Sequence, residues 1–430
     1  MRGFSDPAFH GNKALPVHRW VPWIAGFSSG FAGNALDRLR EPGTVLDPFC
    51  GVGTTLVESA LRGHRAIGFE INPWAALASR TKVHAAQFEP ARLDQEIRRF
   101  EGFHADALTS GRPPHSQPPP GFRTRAPFYS EPVLRKVLFV TDFIERLARE
   151  EPLLADLFRV AFGATLVSYS NYSYEPSLGR RVAAGRPEVL DFDVGASLAS
   201  KLREMEEDVR WLRASPAAHA PTARVHHASF LDTPVVPESV DLILTSPPYL
   251  NNYHYNRNTR PHLYWLGFVA QPSEMRELEE ANFGKYWQTV RERERVELEF
   301  ELPSSDLAER LLDLRARHPE RGIYGGGGWA NYATCYFNDC WRFAAGMQRA
   351  LRPGGVALVV IGNSILQGLE IATDRYLGQI AERVGLELAD IQVPRATRVG
   401  SSIIRSGVRA GRAQAGHELY EAVVEVRRRD

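Results

Sequence analysis

The sequence predicts an α/β protein: a mixed, mainly parallel sheet of seven strands with helices on both faces and helical segments inserted between strands. Two observations carry this. Thr44 to Phe49 is a short apolar strand, followed by a Gly-containing turn, a helix-forming stretch from Thr54 to Arg62 and a second strand from Arg65 to Glu70. Strand, tight turn, helix and strand in that order make a βαβ unit, which imposes parallel pairing. Apolar runs of strand length then recur at Val240–Leu244 and Val356–Ile361, each with helical patterning nearby.

Taken in order, residues 1–112 read as the first part of the core. Gly63 is a plausible helix stop before the second strand. Pro113, Pro114, Pro118, Pro119 and Pro120 mark a linker over 113–127. Residues 128–215 read as a helical insertion. Val133, Leu134, Val137, Leu138, Ile144 and Leu147 share one helical face, and Leu198, Leu202, Met205, Val209 and Leu212 another, the pattern of core packing. The core resumes over 220–268, with Arg224–His227 as a strand. Residues 269–330 are rich in Glu and Arg and read as a charged helical insertion, either a solvated surface or a target-recognition element. Gly325–Gly328 is expected to be a mobile hinge or loop. The last part, 331–430, has a helix near Tyr336–Leu351, a Pro353-Gly354-Gly355 turn, a helix over Asp374–Val384 and a hairpin of Leu388–Val393 with Leu419–Val426.

The formal net charge is only +1 on 430 residues. A nucleic-acid ligand would therefore require the positive charge to be gathered on one face. No apolar run approaches 18 residues, and no basic segment with an apolar core opens the chain. Cys50, Cys335 and Cys340 show no metal-ligand spacing. A cytoplasmic protein with free thiols, no bound metal and no membrane segment is expected.

The first motif is Asp47-Pro48-Phe49-Cys50-Gly51-Val52-Gly53-Thr54-Thr55. Gly51 and Gly53 let a ligand approach the backbone, and the helix that follows offers free N–H groups. Leu56 stands where a dinucleotide fingerprint has its third glycine, and the Gly-Lys-Ser/Thr of a phosphate loop is absent. Both departures favour a ligand without pyrophosphate. Glu70 ends the next strand, 17 residues past Gly53, where a carboxylate accepts the two ribose hydroxyls of an adenosine. Asp47 is placed to receive an ammonium group, directly or through water.

This motif resembles the donor-binding motif of the DNA amino-methyltransferases. His18-Arg19-Trp20-Val21-Pro22-Trp23 followed by Phe27-Ser28 resembles the segment that forms a lid over the donor in that family. The resemblance implies a class I S-adenosylmethionine-dependent methyltransferase (Rossmann-like) fold, S-adenosylmethionine as cofactor, and Trp20, Trp23, Asp47, Phe49, Gly51, Gly53, Thr54, Thr55, Glu70, Asn72 and Ser229 as its contacts, with Pro22 beside the methionine part. The family usually has an acidic residue where this chain has Ser229; Asp232 and Asp106 are fallback candidates. The resemblance covers about 1–110 and 220–430. The donor motif is worded like that of a group in which the second motif comes first; here it comes second.

That second motif is Thr245-Ser246-Pro247-Pro248-Tyr249. An exocyclic base amine is a poor nucleophile because its lone pair is delocalised into the ring. A catalyst should accept hydrogen bonds from its N–H groups and hold it in line with the methyl donor. Ser246 and the Pro247 carbonyl supply acceptors, Pro247 and Pro248 stiffen the turn, and Tyr249 offers a face for the base. The base would have to be flipped out of a duplex. By resemblance, Ser as the first residue leans to cytosine N4, and Asp or Asn to adenine N6. The expected function is methylation of cytosine N4 in double-stranded DNA. The rivals are adenine N6, an RNA guanine amine, and a non-catalytic DNA-binding protein. Asn251, Asn252, Tyr253, His254 and Tyr255, and later Ile361-Gly362-Asn363-Ser364, are expected in the pocket wall. A restriction-modification setting with a partner nuclease is what the family resemblance suggests.

For DNA contact, Arg395 to Arg412 holds five arginines and no acid, so Arg398, Arg405, Arg409 and Arg412 are candidates. A second patch combines Tyr172 and Tyr174 with Arg180, Arg181 and Arg186.

Overall fold

The computed structural model describes residues 9–23, 26, 28–174, 178–215, 223–251, 253–398 and 418–430. Its strands are β1 (Thr44–Asp47), β2 (Arg65–Phe69), β3 (Tyr172–Tyr174), β4 (Leu178–Arg180), β5 (Ala223–His226), β6 (Val240–Thr245), β7 (Leu351–Gly362), β8 (Ser364–Leu366), β9 (Leu369–Ile371), β10 (Leu386–Arg398) and β11 (Glu418–Arg428). Seven of them form one sheet in the order β10-β11-β7-β6-β1-β2-β5. The pairs β1/β2, β1/β6, β2/β5 and β6/β7 are parallel. β11 runs antiparallel to both β7 and β10.

The strands read as apolar runs because both faces are covered, as a parallel sheet requires. Period-two alternation sends Val45, Leu242, Leu244, Leu358, Val360 and Val423 to one face, against Phe31, Ala32, Ala35 and Leu36 of the helix Ser29–Leu36. It sends Leu46, Ile243, Val359, Ile361 and Val424 to the other, against the helices Gly326–Ala350 and Thr373–Arg383. β1 and β6, at the centre, carry the two motifs on their C-terminal ends, the side on which open α/β sheets bind ligands.

The helices Pro90–Thr109, Glu131–Glu150, Pro152–Thr165 and Val194–Arg213 pack on one another. Phe100, Phe143 and Phe158 meet at their centre with centroids 5.3–6.2 Å apart. A core boundary at residue 112 therefore divides a helical layer that already begins at Pro90. The charged segment after residue 269 is also less superficial than its composition suggests, since Phe283, Trp287, Val290 and Phe300 are buried in the sheet's second core.

The glycine run 325–328 is not a hinge. Gly326 opens the 25-residue helix that ends at Ala350. The glycines are needed for close packing: a Cβ on Gly326 would stand 1.8 Å from the Leu314 carbonyl oxygen, and one on Gly328 2.6 Å from that of Ile323. Among the described residues no helix is long and apolar enough to cross a membrane.

Candidate active site

The turn after β1 is held open by backbone geometry. Gly51 and Gly53 have φ of 50° and 87°, values that favour glycine. A Cβ on Gly53 would also fall 2.5 Å from Ser79 Oγ. Gly53 caps the helix Thr54–Leu61, leaving its first N–H groups facing the turn. Asp47 Oδ1 accepts from Thr245 Oγ1 (2.6 Å) and from the Phe49 amide (3.1 Å). Thr55 Oγ1 donates to the Leu244 carbonyl (3.3 Å), and Thr54 is buried beside it. These bonds tie β1 to β6 beneath the site.

Glu70 lies across the turn. Its Oε2 accepts from the Gly51 amide (2.9 Å) and its Oε1 from the Asn72 amide (2.7 Å). Burial raises its pKa to about 7 against these hydrogen bonds, with the Asp47 charge adding to the rise. Burial likewise raises Asp47 to about 6. Asn72 caps the helix Pro73–Val83 and donates to Asn256 and Thr259. Trp23, Phe49, Gly51, Glu70, Asn72 and Ser229 line one cleft. Phe49 meets Phe283 edge-on at 5.1 Å in its wall. Ser229 Oγ accepts from the Leu231 amide (3.1 Å). Neither fallback acid reaches the cleft: Asp106 is exposed on the helix Pro90–Thr109, and Asp232 is exposed beyond Ser229.

Ser246 and Pro248 line the same cleft from its other side. The loop that carries them is braced. Tyr336, fully buried, donates its hydroxyl to the Pro248 carbonyl (3.0 Å). Tyr249 donates to Glu421 Oε1 on β11 (3.1 Å), and its ring lies where a Cβ on Gly362 would come within 3.0 Å. Burial, reinforced by the Glu421 charge, pushes the Tyr249 hydroxyl well above its ordinary pKa. Tyr249 therefore sits between β7 and β11, behind Ser246. Asn363 also departs from the expected pocket wall: it accepts from the Tyr420 amide (2.9 Å) and donates to the Glu418 carbonyl (2.9 Å), stitching β7 to β11. Asn252 and Phe27 lie outside the described residues.

A carboxylate at the end of β2, a turn that added side chains would fill, and aromatic walls fit an adenosyl ligand without pyrophosphate. Comparison with known proteins agrees. The family model for DNA methylases of the N6/N4 type matches residues 38–79, the whole donor turn with Glu70. The Type II methyltransferase M.BsoBI of Geobacillus stearothermophilus is 21% identical over 442 residues, spanning 92% of this chain and 83% of its own length. M.AvaI of Nostoc sp. is 24% identical over 418 residues, with 90% and 82% covered. The chain is similar to the DNA amino-methyltransferases, over the donor turn and, at low identity, along most of its length. Its fold is the class I, Rossmann-like one, and its cofactor is S-adenosylmethionine. A TehB-like S-adenosylmethionine-dependent methyltransferase from Corynebacterium glutamicum overlays with a TM-score of 0.28 and 12% identity, covering 93% of this chain and 87% of that one. A likeness this distant says nothing about ligand or substrate.

The segment His18–Trp23, expected as a lid over the donor, differs from that expectation at Trp20. Trp23 lines the cleft, with its indole nitrogen 3.2 Å from a Cβ built on Gly51. Trp20 does not. It is fully buried, and its Nε1 donates to Asp208 Oδ2 (2.9 Å) on the helix Val194–Arg213. The Asp208 carboxylate also accepts from the Val17 amide (2.8 Å) and from Arg19 Nε and Nη2 (3.1 and 2.7 Å). Trp20 is thus an anchor of the lid segment in the helical insertion. Pro22 and Trp23 line a neighbouring pocket of about 300 Å³ together with Tyr253 and Tyr255.

Of the arginines expected at DNA, Arg180 ends β4, is exposed, and lines a wide groove of about 1600 Å³ with Tyr172. Arg181 is half-buried and spends its Nε on the Pro187 carbonyl (3.2 Å). Tyr174 donates to the Asn258 carbonyl (2.7 Å). Arg398 is the last residue of β10, opposite Glu418. Arg405, Arg409 and Arg412 lie outside the described residues. Residues missed by the motif reading include Tyr336, Phe283, Glu421 and Asp208. An acid beside the apolar run Ala422–Val424, and a Phe within a Glu/Arg-rich segment, were the available signals.

Proposed function

We propose that this methyltransferase methylates cytosine N4 in double-stranded DNA, acting on a base flipped out of the duplex. The observation that carries the reading is Ser246 at the head of the Ser-Pro-Pro-Tyr motif, lining the same cleft as Glu70. S-adenosylmethionine supplies an electrophilic methyl group. Everything else falls to the chain. Glu70 accepts the ribose hydroxyls, Phe49 and Phe283 together form an aromatic wall for the adenine, Ser229 takes the position of the usual acid, and Trp23 with Gly51 and Gly53 shapes the remainder. Ser246 Oγ and the Pro247 carbonyl accept from the cytosine amine, drawing its lone pair away from the ring and aiming it along the methyl-transfer line. Tyr249, held between β7 and β11 by Glu421, backs the loop that carries Ser246. The Tyr336 bond to the Pro248 carbonyl keeps the loop from collapsing. The relatives' Type II designation supports a restriction-modification setting in the cytoplasm with a partner nuclease.

The test is to incubate the protein with labelled S-adenosylmethionine and mixed-sequence duplex DNA, digest to nucleosides and identify the labelled one. Label on N4-methyldeoxycytidine is expected. Label on N6-methyldeoxyadenosine would reassign the target atom. Label in RNA alone would overturn the substrate.

A further inference from the structure

We infer that the duplex is held by an arginine-lined groove that the linker, the β3–β4 hairpin and the charged insertion build together. This rests on the reading of double-stranded DNA as substrate, and adds where its phosphates lie.

The chain as a whole is nearly neutral, with 52 basic and 51 acidic residues. The groove of about 1600 Å³ is not: seven arginines line it against two glutamates. They come from segments far apart in sequence. Arg123 and Arg125 belong to the linker, Arg180 to β4, Arg257 to the short helix Tyr255–Asn258 after the Ser-Pro-Pro-Tyr motif, and Arg276 and Arg293 to the charged insertion. All six are exposed. The seventh, Arg260, is a brace: it donates to the Arg123 carbonyl (2.8 Å) and lies over the Phe122 ring at 5.1 Å.

The six differ in their partners. Arg257 pairs with Glu279, Arg276 with Glu280 and Arg180 with Glu188, at 3.0, 2.9 and 3.8 Å. The Arg276 and Arg180 pairs are exposed on both sides, and pairs of this kind contribute little and leave the arginine available to a phosphate. Arg123, Arg125 and Arg293 have no ion pair among the described residues. A near-neutral protein that gathers unpaired arginines on one concave wall focuses a positive field there, which suits a polyanion.

The groove also leads to the chemistry. Tyr253 and Asn258 line both the groove and the pocket of about 300 Å³. Trp23 and Tyr255 line both that pocket and the cleft of Glu70 and Ser246. Phosphates on the arginines would thus place a strand at the entrance to the reaction site. Tyr253, half-buried, offers a ring along the way.

The experiment uses the full chain and the variant Arg123→Ala/Arg125→Ala/Arg293→Ala, with binding to a short duplex measured over a salt series. Removing one arginine–phosphate interaction should flatten the slope of log Kobs against log salt by about 0.9, so about 2–3 in all for the triple variant. Affinity at low salt should fall at least about tenfold, with S-adenosylmethionine affinity unchanged. The double variant Arg123→Gln/Arg125→Gln, which keeps side-chain bulk, should show a smaller shift the same way and provides the readout if the triple variant loses donor binding. Unchanged slope and affinity in a variant that still binds donor would overturn the groove while leaving the substrate reading intact, provided the parent protein methylates DNA. A parent that neither binds nor methylates duplex DNA overturns both.

Discussion

The donor cleft and the arginine groove adjoin one another, yet they are built on opposite plans. The cleft is made from the ends of β1, β2 and β6, and its polar atoms are buried and already hydrogen-bonded: Asp47 to Thr245, Glu70 to two amides, Pro248 to Tyr336. The groove is made from surface segments, and its arginines are exposed and loosely paired. The first plan suits a small ligand that must be held in one geometry, because preorganised groups need no rearrangement when charge develops. The second suits a long polyanion whose contacts are individually weak and numerous. Substitutions in the two regions should therefore differ in kind: steep, local and salt-insensitive in the cleft, shallow, additive and salt-sensitive in the groove.

The sharpest way to break this contrast is the double change Ser246→Ala/Tyr249→Ala. It is expected to lower kcat by about a thousandfold, the scale of losing a preorganised acceptor in a dry site, with donor Kd unchanged by calorimetry. A variant that methylates normally would remove Ser246 and Tyr249 from the chemistry. Next comes Asp208→Ala, which strips the buried partner from Arg19, Trp20 and the Val17 amide. It should lower unfolding free energy by about 3 kcal/mol, read as a lower urea midpoint. An unchanged midpoint would mean the lid segment is held by other contacts.

Glu70→Gln should weaken donor binding by about thirtyfold, or about 2 kcal/mol, the value of hydrogen bonds to a charged acceptor. The pH dependence sharpens this. Glu70 sits at about 7 and must be ionised to accept two hydroxyls, so donor affinity should fall as pH drops through 7, and Glu70→Gln should abolish that fall. Ligand-free stability should move the other way. Glu70 and Asp47 are raised to about 7 and about 6 from ordinary values of 4.5 and 3.8. Their contribution is therefore fully present below the unfolded values and is lost as pH rises through 6 to 7. Denaturation midpoints that rise across that window would contradict the assigned shifts. The smallest effect is Tyr336→Phe. Losing its bond to the Pro248 carbonyl should cost about 1 kcal/mol, seen as a several-fold drop in kcat with donor affinity intact.

What the sequence made legible follows the same division. Asp47, Gly51, Gly53 and Glu70 sit in one βαβ unit, so local geometry alone brings them together. Ser246 is brought to them by the parallel pairing of β1 and β6. The two lid tryptophans could not be told apart: a three-residue spacing leaves open which one faces the ligand, and the choice depends on Val17 at φ 65° and the short helical turn His18–Trp20. The glycine run looked like a hinge because glycine frees the backbone; here it serves close contact with the carbonyls of Leu314 and Ile323. The groove was invisible because its arginines meet only after both insertions have folded, and an even charge balance conceals any clustering. Arg180 was found because it lies near Tyr172 and Tyr174 in the chain; Arg123 falls in a Pro-rich linker and Arg293 in a run of alternating Arg and Glu, and neither context marks a ligand.

β11 follows β10 in the chain but lies between β10 and β7, and it alone brings Glu421 to Tyr249 and Tyr420 to Asn363. A ribosome that has released everything up to β10 has released both motifs and the whole donor turn, yet not the strand that holds Tyr249. A nascent chain halted before residue 418 would leave the edge of β7 unpaired and the Ser-Pro-Pro-Tyr loop without its backing.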